Sequence, residues 1–378
     1  MSFDIPVDRR GTDSSKWQKY QGRNILPLWV ADMDFRSPEA VIEALRARVE
    51  EGVFGYASPR PGLAEATCEW LARRHGWRIE ADWLVWLPGL VTGINVCCRA
   101  VAVPGEAVLT TVPVYHPFLK APGYHDQRLL TVPLHRDNGC WVWHRDELEA
   151  AITPDTRLLL LCSPHNPTGR VYRREELQEL GEIAERHDLI ICSDEIHADL
   201  VLDQHCRHLP TASLAPELAA RTITLMAPSK TFNLAGLYCS YAVISDPGLR
   251  ARFTRAMAGI VPKVNLMGYV AAEAAYRGGE DWLAECLDYL RGNHQRLLEA
   301  VNACPGLMMT PVEATYLAWI DTREADLADP AGFFEAAGLG FSDGGDFDGA
   351  GFVRWNFACH RDTLEEAIQR LQRAWKQR

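Results

Sequence analysis

Thr222-Ile-Thr-Leu-Met-Ala-Pro-Ser-Lys-Thr-Phe-Asn-Leu-Ala-Gly-Leu237 joins a buried-strand pattern to a lone lysine. The apolar, β-prone run 223–226 stops at Ala227-Pro228, and Lys230 follows at once. Behind it, Leu234-Ala-Gly-Leu237 is small and apolar, which lets backbone pack closely. Lysine is scarce in this chain: Lys16, Lys19, Lys120, Lys230, Lys263 and Lys376 stand among 39 basic residues. A lysine just past a strand end, in a partly desolvated site, can lose its proton and attack a carbonyl. The alternative is a solvated loop lysine, and the rest of the chain decides between the two.

Composition narrows the choice. At 378 residues the chain is long enough for a sizeable core and two domains. Hydrophobic residues at 47% and charged ones at 24% are globular values. A formal net charge of −11 argues against general nucleic-acid binding, because nothing neutralises phosphates in bulk. The first ten residues contain no apolar signal-peptide core, and no apolar run reaches membrane-spanning length, so no membrane partner is expected. The eleven cysteines are scattered with no C-x-x-C pair, which suits a reduced, cytoplasmic protein better than a disulfide framework or a zinc site.

Outward from residues 222–226, strand-like runs alternate with helical ones. Strands are expected at 84–87, 107–111, 129–134, 158–162, 189–193 and 241–245, with helices over 63–75, 94–103 and 174–187. Continuous apolar strands separated by helices predict an α/β fold with a mostly parallel sheet covered on both faces. Ligands then bind beyond the carboxyl ends of the strands. Upstream, Ser37 is expected to cap a helix with Pro38 at its first position and an apolar stripe of Val41, Ile42, Leu45 and Val49. Downstream of residue 245, helices at 248–260, 266–277, 282–303 and 363–375 surround strands near 314–320 and 352–357. The expected division is an N-terminal segment, 1–45, joining a small domain; a large domain, 46–265; and a C-terminal small domain, 266–378.

Several strand ends carry side chains that a plain core has no use for. Gly89-Leu90-Val91 opens a helix, where free N–H groups and the dipole favour a phosphate, although an ordinary turn fits as well. Tyr115, between prolines, can stack on a flat heterocycle or serve as core. The stiff turn Ser163-Pro-His-Asn-Pro167 can hold the Asn166 amide against a ligand. Asp194 ends an apolar strand, where a carboxylate needs a cation or strong hydrogen bonds. Asp194, Glu195, His197 and Asp199 have no standard metal-ligand spacing, so no metal is expected. Arg354 lies inside an apolar strand and needs an anion, either a substrate carboxylate or a structural acid. Taken together these residues suit pyridoxal phosphate and an amino-acid substrate.

With these residues in place, the chain resembles fold-type I pyridoxal-phosphate enzymes of the class I/II aminotransferase superfamily over nearly its whole length. It resembles most the MalY/PatB group of cystathionine β-lyases. The narrow resemblance rests on Asp8-Arg-Arg-Gly-Thr-Asp13 with Lys16-Trp17, Leu28-Trp-Val-Ala-Asp-Met-Asp-Phe35, Phe54-Gly-Tyr56, Ser163–Pro167, Ser193-Asp-Glu-Ile-His197 and Ser229-Lys-Thr-Phe-Asn233. It implies a seven-stranded large domain and a smaller α+β domain. It also implies that Lys230 holds the cofactor and acts as general base. Asp194 pairs with the pyridine nitrogen, Asn166 meets the phenolic oxygen, and Tyr115 stacks on the ring. The Gly89–Val91 backbone and Ser229 hold the phosphate, with Tyr56 reaching it from the second subunit of a homodimer with shared active sites. Arg354 and Ala31 face the substrate, and His197 replaces a tyrosine common in relatives. The implied activity is α,β-elimination of an S-substituted cysteine. Amino transfer is the first alternative, and a cofactor-containing regulatory protein is the second. Two departures stand out: Tyr238 occupies the place of a phosphate-binding arginine, and Asp343-Gly-Gly-Asp346 replaces a proline-led turn.

Overall fold

The protein is described here by a computed structural model covering residues 3–378. Seven strands build its central sheet: β1 Leu84–Leu87, β2 Ala107–Val112, β3 Arg128–Pro133, β4 Thr156–Cys162, β5 Ile190–Asp194, β6 Thr222–Met226 and β7 Ser240–Val243. Across the sheet they run β1-β7-β6-β5-β4-β2-β3. All neighbours are parallel except the two pairings of β7, which runs against both β1 and β6.

The apolar runs are continuous because each sheet face is covered, and alternate residues serve opposite layers. Leu158, Leu160 and Cys162 pack on one side with Ile94, Cys97 and Cys98 of helix α1, Leu90–Val101. Leu159 and Leu161 pack on the other with Leu177, Leu180 and Ile183 of helix α2, Arg174–Arg186. Helix α1 lies so close to the sheet that a Cβ on Gly93 would come within 2.9 Å of a Leu87 methyl and 3.0 Å of Leu225. That proximity brings the amino end of α1 down beside the strand ends.

The remaining layers follow from the downstream helices. Leu266–Gly278, Glu280–Asn302 and Arg361–Lys376 accompany a four-stranded antiparallel sheet in the order Met308–Met309, Leu317–Asp321, Phe352–Asn356, Ser342–Asp343. The amino-terminal segment joins this region through a short parallel pairing of Leu26–Pro27 with Leu339–Gly340.

Two local expectations need correction, and one element is new. Ser37 does not cap the following helix, Glu39–Glu50; its hydroxyl donates to the Asn233 carbonyl at 3.1 Å instead. Val49 is exposed, because it lies at the end of that helix beyond the face packed on Leu266–Gly278. A hairpin pairing His135–Asp137 with Cys140–Val142 was not foreseen, although Asn138-Gly139 supplies the two positive-φ residues of a tight turn.

A charge cluster fastens the amino-terminal segment. Lys16 is buried and its Nζ donates to Asp34 Oδ2 at 2.7 Å and to the Asp32 carbonyl at 3.2 Å. Arg9 bridges both acids, meeting Asp34 at 2.8 Å and Asp32 at 2.9 Å, and Trp17 Nε1 donates to Asp34 at 3.2 Å. Two cations thus balance two carboxylates, and deleting one cation leaves a buried charge without its full complement. Replacing Lys16 with methionine is therefore expected to destabilise the fold by about 3 kcal/mol, a loss that urea unfolding reads directly.

Candidate active site

Three adjacent parallel strands end together and each delivers one polar group. Residue register pairs Cys162 with Asp194 and Asp194 with Leu225, so β4, β5 and β6 finish side by side. The turn after β4 carries Asn166, the last residue of β5 is Asp194, and the single helical turn α3, Pro228–Thr231, after β6 carries Lys230. Arg354 reaches the same place from the small sheet, in Phe352–Asn356.

Arg354 is 5% exposed, yet its hydrogen-bond partners are all neutral. Nη1 donates to Asn166 Oδ1 at 3.0 Å, and Nη2 donates to the Trp29 carbonyl at 2.8 Å and Ser342 Oγ at 3.3 Å. Its Nε has no partner, and the guanidinium lies 4.6 Å from the centre of the Phe347 ring. A buried cation without a carboxylate is costly unless an anion arrives. The structural ion pair considered for Arg354 is absent among the described residues. Burial lowers its pKa to about 10, while Tyr115, Tyr316 and Asp346 oppose the shift.

Lys230 is half-buried and its Nζ donates to the Ala31 carbonyl, which also accepts from Tyr316 Oη at 3.1 Å. Desolvation brings the amine down to about 8; Asp32 and Asp194 pull it up, and Arg354 pushes it down further. Asp194 is buried, accepts from the Ile196 N–H at 3.1 Å, and has no basic side chain paired to it among the described residues. Burial lifts its carboxyl to about 7, with Glu195 adding to the rise and Lys230 opposing it. His197 is buried with Nδ1 unpartnered, and desolvation lowers its pKa to about 3, aided by the charges of Lys230 and Arg354. The imidazole is therefore neutral at physiological pH.

The remaining expected residues lie around this centre. Tyr115 is half-buried, and its N–H donates to the Asn166 carbonyl at 3.1 Å. Gly89 precedes α1 with φ 144° and ψ 153°, a conformation closed to other residues, and α1 has neither a side-chain cap nor an acid in its first turn. Leu90 is buried, Val91 is exposed, Ser229 is half-buried beside Lys230, and Tyr56 stands fully in solvent. Tyr238, with φ 48°, lies 3.9 Å from where a Gly89 Cβ would project.

Sequence reasoning missed the supporting groups. Tyr316, the Trp29 carbonyl and Ser342 all touch site residues, and only the apolar run ending in Asp32 and Asp34 hinted that this segment mattered. Glu195 and Asp199 have partners of their own. Glu195 accepts from Ser193, Thr211 N–H and His208, and Asp199 from Trp70, His75 and Thr231. The one His/Glu group with ligand atoms close enough for a metal among the described residues is His135, His144 and Glu147, on the unforeseen hairpin and the helix after it. Its imidazoles stack at 4.2 Å with planes 5° apart, so one ion cannot lie in both ring planes.

Known proteins share the sequence pattern and the fold. Residues 23–371 match the aminotransferase class I and II family. Cystathionine beta-lyase PatB of Bacillus subtilis (strain 168) is 36% identical, with 99% of this chain and 100% of that protein covered. The crystal structure of OvoB superposes with a TM-score of 0.97 at 50% identity, covering 99% of both chains. Cystalysin from Treponema denticola, whose structure contains a pyridoxal 5′-phosphate cofactor, superposes at 0.96 with 32% identity over 100% of this chain and 99% of its own.

The residues fit such a cofactor. A buried carboxyl lacks a cation, a desolvated lysine lies nearby, an imidazole nitrogen is unpartnered, and an uncapped helix terminus begins at a glycine. In the cofactor-free protein, Lys230 is expected to react with an amine reagent with a pH midpoint near 8. A midpoint near the ordinary lysine value of about 10.4 would exclude a desolvated amine. Comparison with Lys230→Ala isolates its signal.

Proposed function

The chain belongs to the aminotransferase class I and II family, and within it we propose that this fold-type I enzyme is a pyridoxal 5′-phosphate-dependent C–S β-lyase acting on S-substituted cysteines such as L-cystathionine. The observation that carries the reading is Arg354: a buried guanidinium with neutral partners, beside a desolvated lysine and an unpaired buried aspartic acid. Similarity to a named cystathionine beta-lyase over the full length supports the choice of reaction.

In this reading Lys230 would join the cofactor, Asp194 would pair with its ring nitrogen, Asn166 with its phenolic oxygen, and Tyr115 would stack on its face. Residues Gly89, Leu90, Val91 and Ser229 would hold its phosphate, and His197 would supply a neutral hydrogen-bonding group. When bound, the cofactor supplies an electron sink for the pair left at Cα. Arg354 binds the substrate carboxylate through its planar fork, helped by Ala31. Lys230, freed as an amine with a lowered pKa, takes the Cα proton. The Cβ–S bond breaks and its electrons leave with sulfur, which takes a proton to become the thiol. With one water consumed, L-cystathionine gives homocysteine, pyruvate and ammonia. Amino transfer needs the same Cα deprotonation and is the competing outcome.

We propose further that the protein is a cytoplasmic homodimer. Val49, Val53, Phe54 and Tyr56 form an exposed apolar group, which supports a second copy seated there and Tyr56 reaching its phosphate end. All eleven cysteines are free, as a reducing compartment favours. Among the described residues no helix is long and apolar enough to cross a membrane.

Incubation with L-cystathionine is expected to release pyruvate and free thiol in equal amounts. Absence of thiol together with amino transfer to a keto acid would sink the lyase reading. Lys230→Ala is expected to abolish the visible absorbance of the loaded protein. Arg354→Lys retains the charge but loses the fork, so KM is expected to rise roughly ten- to a hundredfold.

A further inference from the structure

The Ala31 carbonyl serves two donors at once, and the second has no role in the scheme above. Lys230 Nζ and Tyr316 Oη both donate to it, the latter at 3.1 Å. Tyr316 is 1% exposed, and its ring meets His197 edge to face at 6.1 Å. Burial holds its phenol protonated, with the charge of Asp32 adding to the effect. The preceding residue is equally unusual. Thr315 is buried with φ 75°, a left-handed conformation that a β-branched residue rarely adopts. Two bonds hold it there: its N–H donates to the Leu200 carbonyl at 2.9 Å, and its Oγ1 accepts from Leu317 N–H at 3.1 Å. Strain of this kind persists only where the surroundings enforce it. Here it turns Tyr316 toward the lysine.

We propose that Tyr316 is a positioning residue for Lys230: its hydroxyl fixes the Ala31 carbonyl as the resting place of the lysine amine whenever that amine is free. The proposal rests on the assignment of Lys230 as general base. A carbonyl is a suitable dock because it orients an ammonium without neutralising it. A carboxylate in its place would raise the amine's pKa and weaken the base. By taking one of the two lone pairs, Tyr316 also limits how tightly the carbonyl holds the protonated lysine.

The charged and titratable groups around the amine are Asp32 from the amino-terminal segment, Asp194 from β5, His197 after it, Arg354 from the small sheet, and Tyr316 just before its strand Leu317–Asp321. Tyr316→Phe changes none of their charges and keeps the ring. Removing the hydroxyl gives Ala31 entirely to Lys230, so the ammonium is held better. In the cofactor-free protein the pH midpoint of Lys230 modification is then expected to rise above about 8. In the loaded enzyme the acidic limb of kcat is expected to shift upward by the same amount. At pH 7 kcat then falls about tenfold while KM changes by less than about threefold.

Thr315→Gly, which frees the backbone that aims Tyr316, is expected to move the midpoint in the same direction. An unchanged or lowered midpoint in both variants, with kcat within twofold of the parent, overturns the proposal. The midpoint is read without turnover, so failure of the lyase assignment itself appears separately, as a parent enzyme that releases no thiol.

Discussion

Five consecutive main-chain carbonyls, Trp29 to Met33, lie outside any helix or sheet. Side chains supply most of their donors instead. Arg354 and Ser342 bond the first, Asn356 and the Asp32 N–H the second, and Lys230 and Tyr316 the third. Lys16 and Asn356 bond the fourth, and Arg9 and Asn233 the fifth. Buried carbonyls must find donors. Here they draw donors from the amino terminus, the β6 loop and the small sheet to one line. The arginine and the lysine of the site are both oriented by it. The segment is the common reference against which the two halves of the chemistry are aligned.

Electrostatics then sets what these aligned groups can do. The same dry surroundings lower the Lys230 amine, raise the Asp194 carboxyl and keep His197 neutral. In water all three would have ordinary pKa values and none would suit its neighbour. The site gathers a buried guanidinium, a desolvated amine and a buried carboxyl that make no ion pair with one another among the described residues. Buried charges without a partner of opposite sign are what a ligand of complementary charge would meet.

Much of this was legible in the sequence, for identifiable reasons. Strands β4, β5 and β6 were readable because burial on both faces leaves an unbroken apolar run, and each run stops where its polar residue begins. Lys230, Asp194 and Asn166 could be singled out because each interrupts such a pattern. Tyr316 could not, since a tyrosine inside Ala314-Thr-Tyr-Leu-Ala318 reads as core until its partner is known. The Ala31 carbonyl was invisible for a similar reason: backbone acceptors carry no residue signature. The reversed direction of β7 was also hidden, because a buried strand has the same composition whichever way it runs. The hairpin at Asn138-Gly139 was legible and was overlooked, its strands being only three residues each.

That reversal of β7 has a consequence for how the loop after Lys230 can vary. A parallel strand after Lys230 would need a crossover of about a dozen residues to return to the far edge of the sheet. Because β7 runs the other way, it begins where β6 ends, and the chain passes from Lys230 to Ser240 while staying at one end of the sheet. Tyr238 is thereby tethered beside Gly89 by the path of the backbone rather than by its own side chain. Its position in space is inherited from the topology, and its chemistry is free to change. A residue of another kind can stand there without any strand moving, which makes this position one of separate inheritance: the scaffold fixes the address, and the residue alone decides what is presented at it.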